Sequence, residues 1–294
     1  MLSLHTNAAA LSAQNSISRT QSSLSTSQTR LSTGFRVNSA MDDAAGLQIA
    51  TRLKYQTSGM TVAMRNTQNS ISLMQTAEGA LDETTNILVR MKDLATQAAD
   101  GSSSTADQAS MQSEFDALTA ELTNIVGNTS FGGQKLFATG GSATFQNASL
   151  TFQIGASSSE KLTIDMTSMV GSMHTAISAA AAEYSDAGTA PTTSGTQITT
   201  GTAANSAINL LASAIDSVSN LRSTLGATSN RLEHVYNNLA NVSTNTKAAA
   251  GRIMDTDFAA ESSNMTSQQM LLQAGTAMLK QSNSTSSLVM SLLQ

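Results

Sequence analysis

Few side chains in this 294-residue sequence are of types that do chemistry, and none has a partner at catalytic spacing. The histidines are His5, His174 and His234. None has an acid or a second histidine three or four positions on, the spacing that puts two side chains on one helix face. Glu233 adjoins His234, but sequence neighbours do not face each other on a helix. There is no cysteine, hence no disulfide and no thiolate ligand. No GxGxxG, P-loop or GxSxG motif occurs. Gly132-Gly133 reads as a turn in preference to a phosphate cradle, and Asp42 and Asp43 as helix-capping acids in preference to a cation site. The Asn-x-Ser/Thr triplets at Asn128, Asn147, Asn241, Asn264 and Asn283 are what chance supplies in a chain so rich in serine and threonine. The hydroxyls between 172 and 202 would take O-linked sugar only if exposed. The expectation is no catalytic set, no cofactor and no metal: not an enzyme.

The totals point the same way. Charged residues are 12%, aromatics 3%, tryptophan is absent and Pro191 is the one proline. Alanine, serine, threonine, asparagine and glutamine dominate, with 15 methionines suited to filling seams. Such a chain makes long helices with thin apolar contacts and lacks the bulk of a thick enzyme core. A net charge of −5 argues against nucleic acid. No window approaches 18 apolar residues, so no membrane span is expected. The opening MLSLHTNAAALSAQ has neither a basic region nor an apolar run and does not read as a cleavable secretory signal.

The elements themselves are written in sevens. In the tail, Asp255 to Gln294, Met265, Leu272 and Leu279 fall seven apart, and Leu271 and Met278 form a second row beside them. Asp255 or Thr256 is the expected N-cap, with Glu261 near the positive helix end. In the head, Met1 to Gly34, Leu4, Leu11, Ile17, Leu24 and Leu31 recur at steps of seven, six, seven and seven. Both helices carry almost no charge and would be marginal alone, so each is expected to pair with the other. Gly34 and Asn38 break the first period, and Ser39, Asp42 and Asp43 offer caps for a second helix over about 43–99. That helix carries a heptad at 53, 60, 67, 74, 81, 88 and 95 and would be roughly 85 Å long. A third, about 105–126, steps through Met111, Phe115, Leu118, Leu122 and Ile125 and closes at Gly127-Asn128. From Thr129 the period changes to two, predicting short strands within 143–147, 149–154 and 161–166. A short alanine-rich helix is expected over 174–184 and a loop over 186–201. The last long helix, about 203–250, repeats at Leu211, Val218, Leu225, Leu232 and Leu239. The fold class expected is mainly α: a long antiparallel coiled-coil bundle built from both chain ends, with a small β-hairpin region and no large outer domains.

The joint LSTGFRVNSAMDDAAGLQIATR (31–52) resembles bacterial flagellin. So do Ser263-Asn264-Met265, Gln273-Ala274-Gly275-Thr276 and Ser291-Leu292-Leu293 in the tail, Leu225 to Arg231, and Arg252 to Phe258. The likeness spans about 1–170 and 203–294. It implies a subunit that homo-polymerises into the extracellular flagellar filament and leaves the cell unfolded through the flagellar type III apparatus. The partners implied are an export chaperone and export gate, the filament cap and hook-junction proteins. The implied division is 1–40 with 255–294 as the inner-tube domain (D0), 41–170 with 203–254 as the next shell (D1), and 171–202 as a short, exposed variable insertion. Assembly residues would be Leu4, Leu11, Leu24, Leu31, Met265, Leu271, Leu272, Met278, Leu279 and Leu292, with Gly34, Arg36, Asn38, Asp42 and Asp43 forming the joint. Arg90, Leu94, Gln97 and Glu114 resemble the patch read by the vertebrate flagellin receptor, while Val89, Lys92 and Asp93 depart from its commonest form. Competing readings are a hook–filament junction protein of the same superfamily and a secreted helical effector that does not polymerise.

Overall fold

The computed structural model describes residues 7–139, 143–146, 149–189 and 193–292, with side chains described as far as residue 285. Leu4, His5, Asn147, Pro191 and the side chain of Leu292 therefore lie outside the described residues. Six helices account for most of the chain: α1 (Ala8–Thr33), α2 (Ala44–Ala98), α3 (Thr105–Asn128), α4 (Thr167–Ala180), α5 (Gly201–Met254) and α6 (Phe258–Leu292). Two small antiparallel hairpins join them, β1 (Ser130–Phe131) with β2 (Gln134–Lys135) and β3 (Leu150–Gln153) with β4 (Lys161–Ile164). The described residues fall into two compact units, Met1–Thr57 with Thr244–Gln294, and Ser58–Ser243.

The second unit holds the core. The heptad row of α2 turns inward: Met60, Thr67, Met74, Leu81, Leu88 and Ala95 are all buried. The facing row of α5, Leu211, Val218, Leu225 and Leu232, is fully buried against the same cluster. Arg222 of α5 pairs with Glu78 and Asp82 of α2, each at 2.8 Å. A β-carbon on Gly201, at the start of α5, would lie 3.7 Å from the Ala99 carbonyl just past the end of α2. Facing residues thus advance in opposite directions, and the two helices are antiparallel. α3 folds back along α2 after a tight turn. Its first turn is closed by a capping box: Ser104 Oγ accepts from the Asp107 N–H at 3.2 Å, and the Asp107 carboxylate accepts from the Ser104 N–H at 3.1 Å. The Ser104 hydroxyl also donates to that carboxylate, and the two bonds hold it below the usual range.

Three expectations change here. The described part of 143–147, residues 143–146, is not a strand; Thr144 and Phe145 donate backbone N–H groups to Lys135 and Leu136 as turn residues, and Phe145 packs on Phe137 with ring centroids 5.7 Å apart. α3 does close at Gly127-Asn128 as expected; the missing side chain of Gly127 also serves a close approach, because a β-carbon there would collide with Gly188, itself in the left-handed region at φ 78°. The helix expected over 174–184 is instead α4, beginning at Thr167. Val170, Met173, His174, Ile177 and Ala180 recur at helical spacing and are buried. The stretch 171–202 is therefore not merely an exposed insertion, since Tyr184 and Ile198 are buried as well. Its loop is pinned to α3: Gln112 Oε1 accepts from the Ile198 N–H at 2.8 Å, and the Asp116 carboxylate from the Gly195 N–H at 3.2 Å.

His174 is the polar centre of this unit. Its Nε2 lies 2.8 Å from the Phe137 carbonyl oxygen, which only accepts, so Nε2 carries the proton. Nδ1 then accepts from the Tyr184 hydroxyl at 2.7 Å. Burial pushes the imidazole below its ordinary range and the Tyr184 phenol above its own. The unfolded chain takes up a proton near the ordinary histidine value, whereas the folded chain resists it. Stability from this group is present above that value and is lost as pH falls below it, at up to ~1.4 kcal/mol per pH unit until the folded group titrates. Melting curves between pH 7.5 and 5 should show wild type losing stability relative to His174→Gln; parallel slopes would contradict the assignment. The lowered Asp107 and Asp165 carboxyls act only further into acid.

Candidate assembly surfaces

In the first unit, α1 and α6 lie antiparallel. Asn7 Nδ2 donates to Ser282 Oγ at 3.3 Å, Arg30 lies 3.8 Å from Glu261, and Phe35 bridges Asp255. Along α6 the positions turned toward α1 are 261, 265, 268, 272, 275, 279 and 282, alternating steps of four and three. Met265, Leu272 and Leu279 belong to this row, half-buried. On α1 the matching positions are Ala10, Ala13, Ile17, Thr20, Leu24, Ser27 and Leu31, with Leu24 and Ser27 fully inside. A large residue meets a gap at Ile17, whose Cγ1 would stand 2.9 Å from a β-carbon on Gly275.

Three expected assembly residues face solvent instead. The six-residue step from Leu11 to Ile17 turns the helix by about 120° off the stripe, so Ala10 takes the seam and Leu11 is exposed. Leu271 and Met278 are likewise 61% and 67% exposed. They are not part of one stripe with Leu272 but form, with Met270, a separate apolar row on the outside of α6.

The joint is a lattice of backbone bonds between the two crossings of the chain. Gly34 caps α1 at φ 76°, where other residues are strained, and its N–H reaches Arg30 O at 2.9 Å. Thr256 N donates to Gly34 O at 3.0 Å, Arg36 N to Met254 O at 2.6 Å, and Arg36 Nη2 to Ile253 O at 3.0 Å. Asn38 Nδ2 donates to Phe35 O. The Asp42 carboxylate accepts from the N–H groups of Ser39 and Asn38, which hold it below the usual range. Asp43 Oδ1 caps α2 by accepting from Gly46 N at 2.8 Å. Neither Asp255 nor Thr256 caps α6. Asp257 does, accepting from the Ala259 and Ala260 N–H groups, because Asp255 and Thr256 are held by bonds to Gly34 and Phe35.

In the second unit Arg90 and Glu114 form an exposed pair, Nη2 to Oε1 at 2.6 Å and Nε to the same oxygen at 2.9 Å. Gln97 is also on the surface. Leu94, four residues after Arg90, is only 2% exposed; it belongs to the buried cluster and presents no free surface there.

No groups of histidine, cysteine, aspartate or glutamate able to hold a metal occur among the described residues, and no helix there is long and apolar enough to cross a membrane. What the first unit offers is a weakly charged helix pair with a second apolar row left over. Family models for the bacterial flagellin N-terminal and C-terminal helical regions match residues 4–144 and 208–293. The chain belongs to the bacterial flagellin family. Flagellin A of Vibrio anguillarum is 34% identical, with all of both chains covered. A flagellin of Halalkalibacterium halodurans is 41% identical over 90% of each. A chain described as a flagellar hook-associated protein from Vibrio parahaemolyticus shares the fold, with a TM-score of 0.56 over 73% of this chain and 100% of its own, at 14% identity. The family is structural, not enzymatic, and its members are subunits of the extracellular filament that drives motility.

The Ile17–Gly275 contact gives a direct test of the helix pair. Gly275→Val should wedge α1 from α6 and remove amide-exchange protection along both, while the unit Ser58–Ser243 changes by no more than about 0.5 kcal/mol. Adding Ile17→Ala should restore protection, because the two positions share one space. Full protection in Gly275→Val alone would contradict the packing.

Proposed function

We propose that this filament subunit polymerises through the outer row of α6 and Leu11 of α1, using the α1–α6 seam to hold the ends together. The exposed row Met270, Leu271 and Met278 carries this reading, because apolar side chains on an otherwise polar helix call for a partner. In this division 1–40 and 255–294 form the inner tube, 41–170 and 203–254 the next shell, and 171–202 a short further segment. The seam residues Leu24, Leu31, Met265, Leu272 and Leu279 act by pairing the ends; Leu4 and Leu292 would extend the contact. Gly34, Arg36, Asn38, Asp42 and Asp43 set the joint. A heterologous contact that does not close gives a helical polymer and not a ring.

Before assembly the same outer row suits an export chaperone that takes a helix in a groove, and thin seams suit passage unfolded through the flagellar type III gate. The filament cap and hook-junction proteins would meet these ends. Similarity over the full length to flagellins of other bacteria favours the filament reading over a junction protein or a non-polymerising effector.

Arg90, Gln97 and Glu114 are proposed as the surface read by the vertebrate flagellin receptor, with buried Leu94 positioning the helix beneath them. An exposed ion pair contributes about 0–1 kcal/mol. Arg90→Ala should therefore leave folding nearly intact and lower receptor signalling; unchanged signalling would count against the patch. For assembly, purified chain with filament seeds or a precipitating salt should give long tubes by electron microscopy. Leu271→Asp with Met278→Asp should stay monomeric with the unit Ser58–Ser243 folded; normal tubes from that variant would refute the assigned surface.

A further inference from the structure

Among the described residues, Met41, Met270 and Met278 are the strongly exposed methionines, at 97%, 59% and 67%. Met60, Met74, Met91, Met111, Met166 and Met173 are buried. Oxidation of a thioether follows exposure, so an oxidant meeting the unassembled chain would act selectively. Two of the three exposed sulfurs stand on the outer row of α6. Met270 and Met278 fall within a sector of about 100° around that helix, with Leu271 at its edge and every other side chain of the row small or polar. The sequence has no cysteine to consume oxidant first.

We propose that Met270 and Met278 are modification sites through which peroxide switches off incorporation of this chain. The inference rests on the reading that the outer row of α6 is buried between copies. The sulfur lone pair attacks one peroxide oxygen and the O–O bond breaks. An S=O bond forms, and the departing hydroxide takes the remaining proton to leave as water. Sulfur loses two electrons and hydrogen peroxide gains them. A flexible apolar group becomes a polar one with a strong acceptor oxygen, which resists burial unless a donor meets it. In the finished filament the same sulfurs would be covered, so the switch acts on the monomer and spares what is already built. Met41, more open still but in the joint loop, is the internal control.

The test treats full-length monomer with hydrogen peroxide, maps sulfoxides by peptide mass spectrometry, then adds seeds and measures the critical concentration by sedimentation. Treated wild type should carry sulfoxide at 270 and 278 and show a critical concentration raised about tenfold or more. Reduction by methionine sulfoxide reductases should reverse the rise. Met270→Leu with Met278→Leu, volume-conserving changes, should assemble alike before and after treatment, whereas Met41→Leu should not protect. Normal assembly of chain carrying both sulfoxides, or equal loss in the double leucine variant, would overturn the inference. Failure of untreated wild type to assemble would overturn the filament reading and this inference with it, and the untreated arm tells the two apart.

Discussion

Everything in the first unit depends on the seam between α1 and α6. Neither helix has the charge pattern or the packing to hold itself in water, and their surfaces are hydroxyls, amides and alanine. What binds them is a narrow alternation of four and three, with Leu24 and Ser27 sealed inside and Ile17 set into the space left by Gly275. The ends of that seam are fastened by polar contacts, Asn7 to Ser282 at one end and the Gly34, Arg36 and Thr256 backbone bonds at the other. Because the seam is narrow, it leaves apolar surface unspent. A wider contact would have absorbed Leu271 and Met278, which instead stay exposed on the outside of α6.

The second unit solves a different problem. Its helices α2, α3, α4 and α5 surround an apolar cluster in which most of the α2 and α5 heptad positions are buried. Several buried polar groups here have partners: Thr67, Thr84 and Thr119 donate to the carbonyl one turn back, and His174 is bonded at both nitrogens.

Heptads make most of this fold legible in the amino-acid sequence. The rows through Met60 and Leu81 and through Leu211 and Leu232 can be read directly, because a period of seven maintained over long helices has one physical use. The joint residues are legible as cap and turn formers, although the cap of α6 moves to Asp257 because Asp255 and Thr256 are engaged by the other strand of the joint. Leu11 misleads because a step of six looks like a heptad in a count but not on a helix. Leu271 misleads because two rows side by side do not say which faces inward. The start of α4 and the pinning of the loop to Ile198 are hidden, since alanine and serine carry little periodicity and the bonds from Gln112 and Asp116 span some eighty residues. The cue that the sequence does hold is Val170, Met173 and Ile177 at helical spacing.

The most direct test uses the absence of native cysteine. Asn7→Cys with Ser282→Cys places thiols where the side chains now touch, whereas Asn7→Cys with Met265→Cys places them about five turns apart along the pair. In assembled filaments under mild oxidation, the 7–282 pair should close an intramolecular disulfide and the 7–265 pair should not. Closure of both alike, or of the second alone, would mean that the ends do not pair in this antiparallel register and that the surface assigned to assembly is the wrong one.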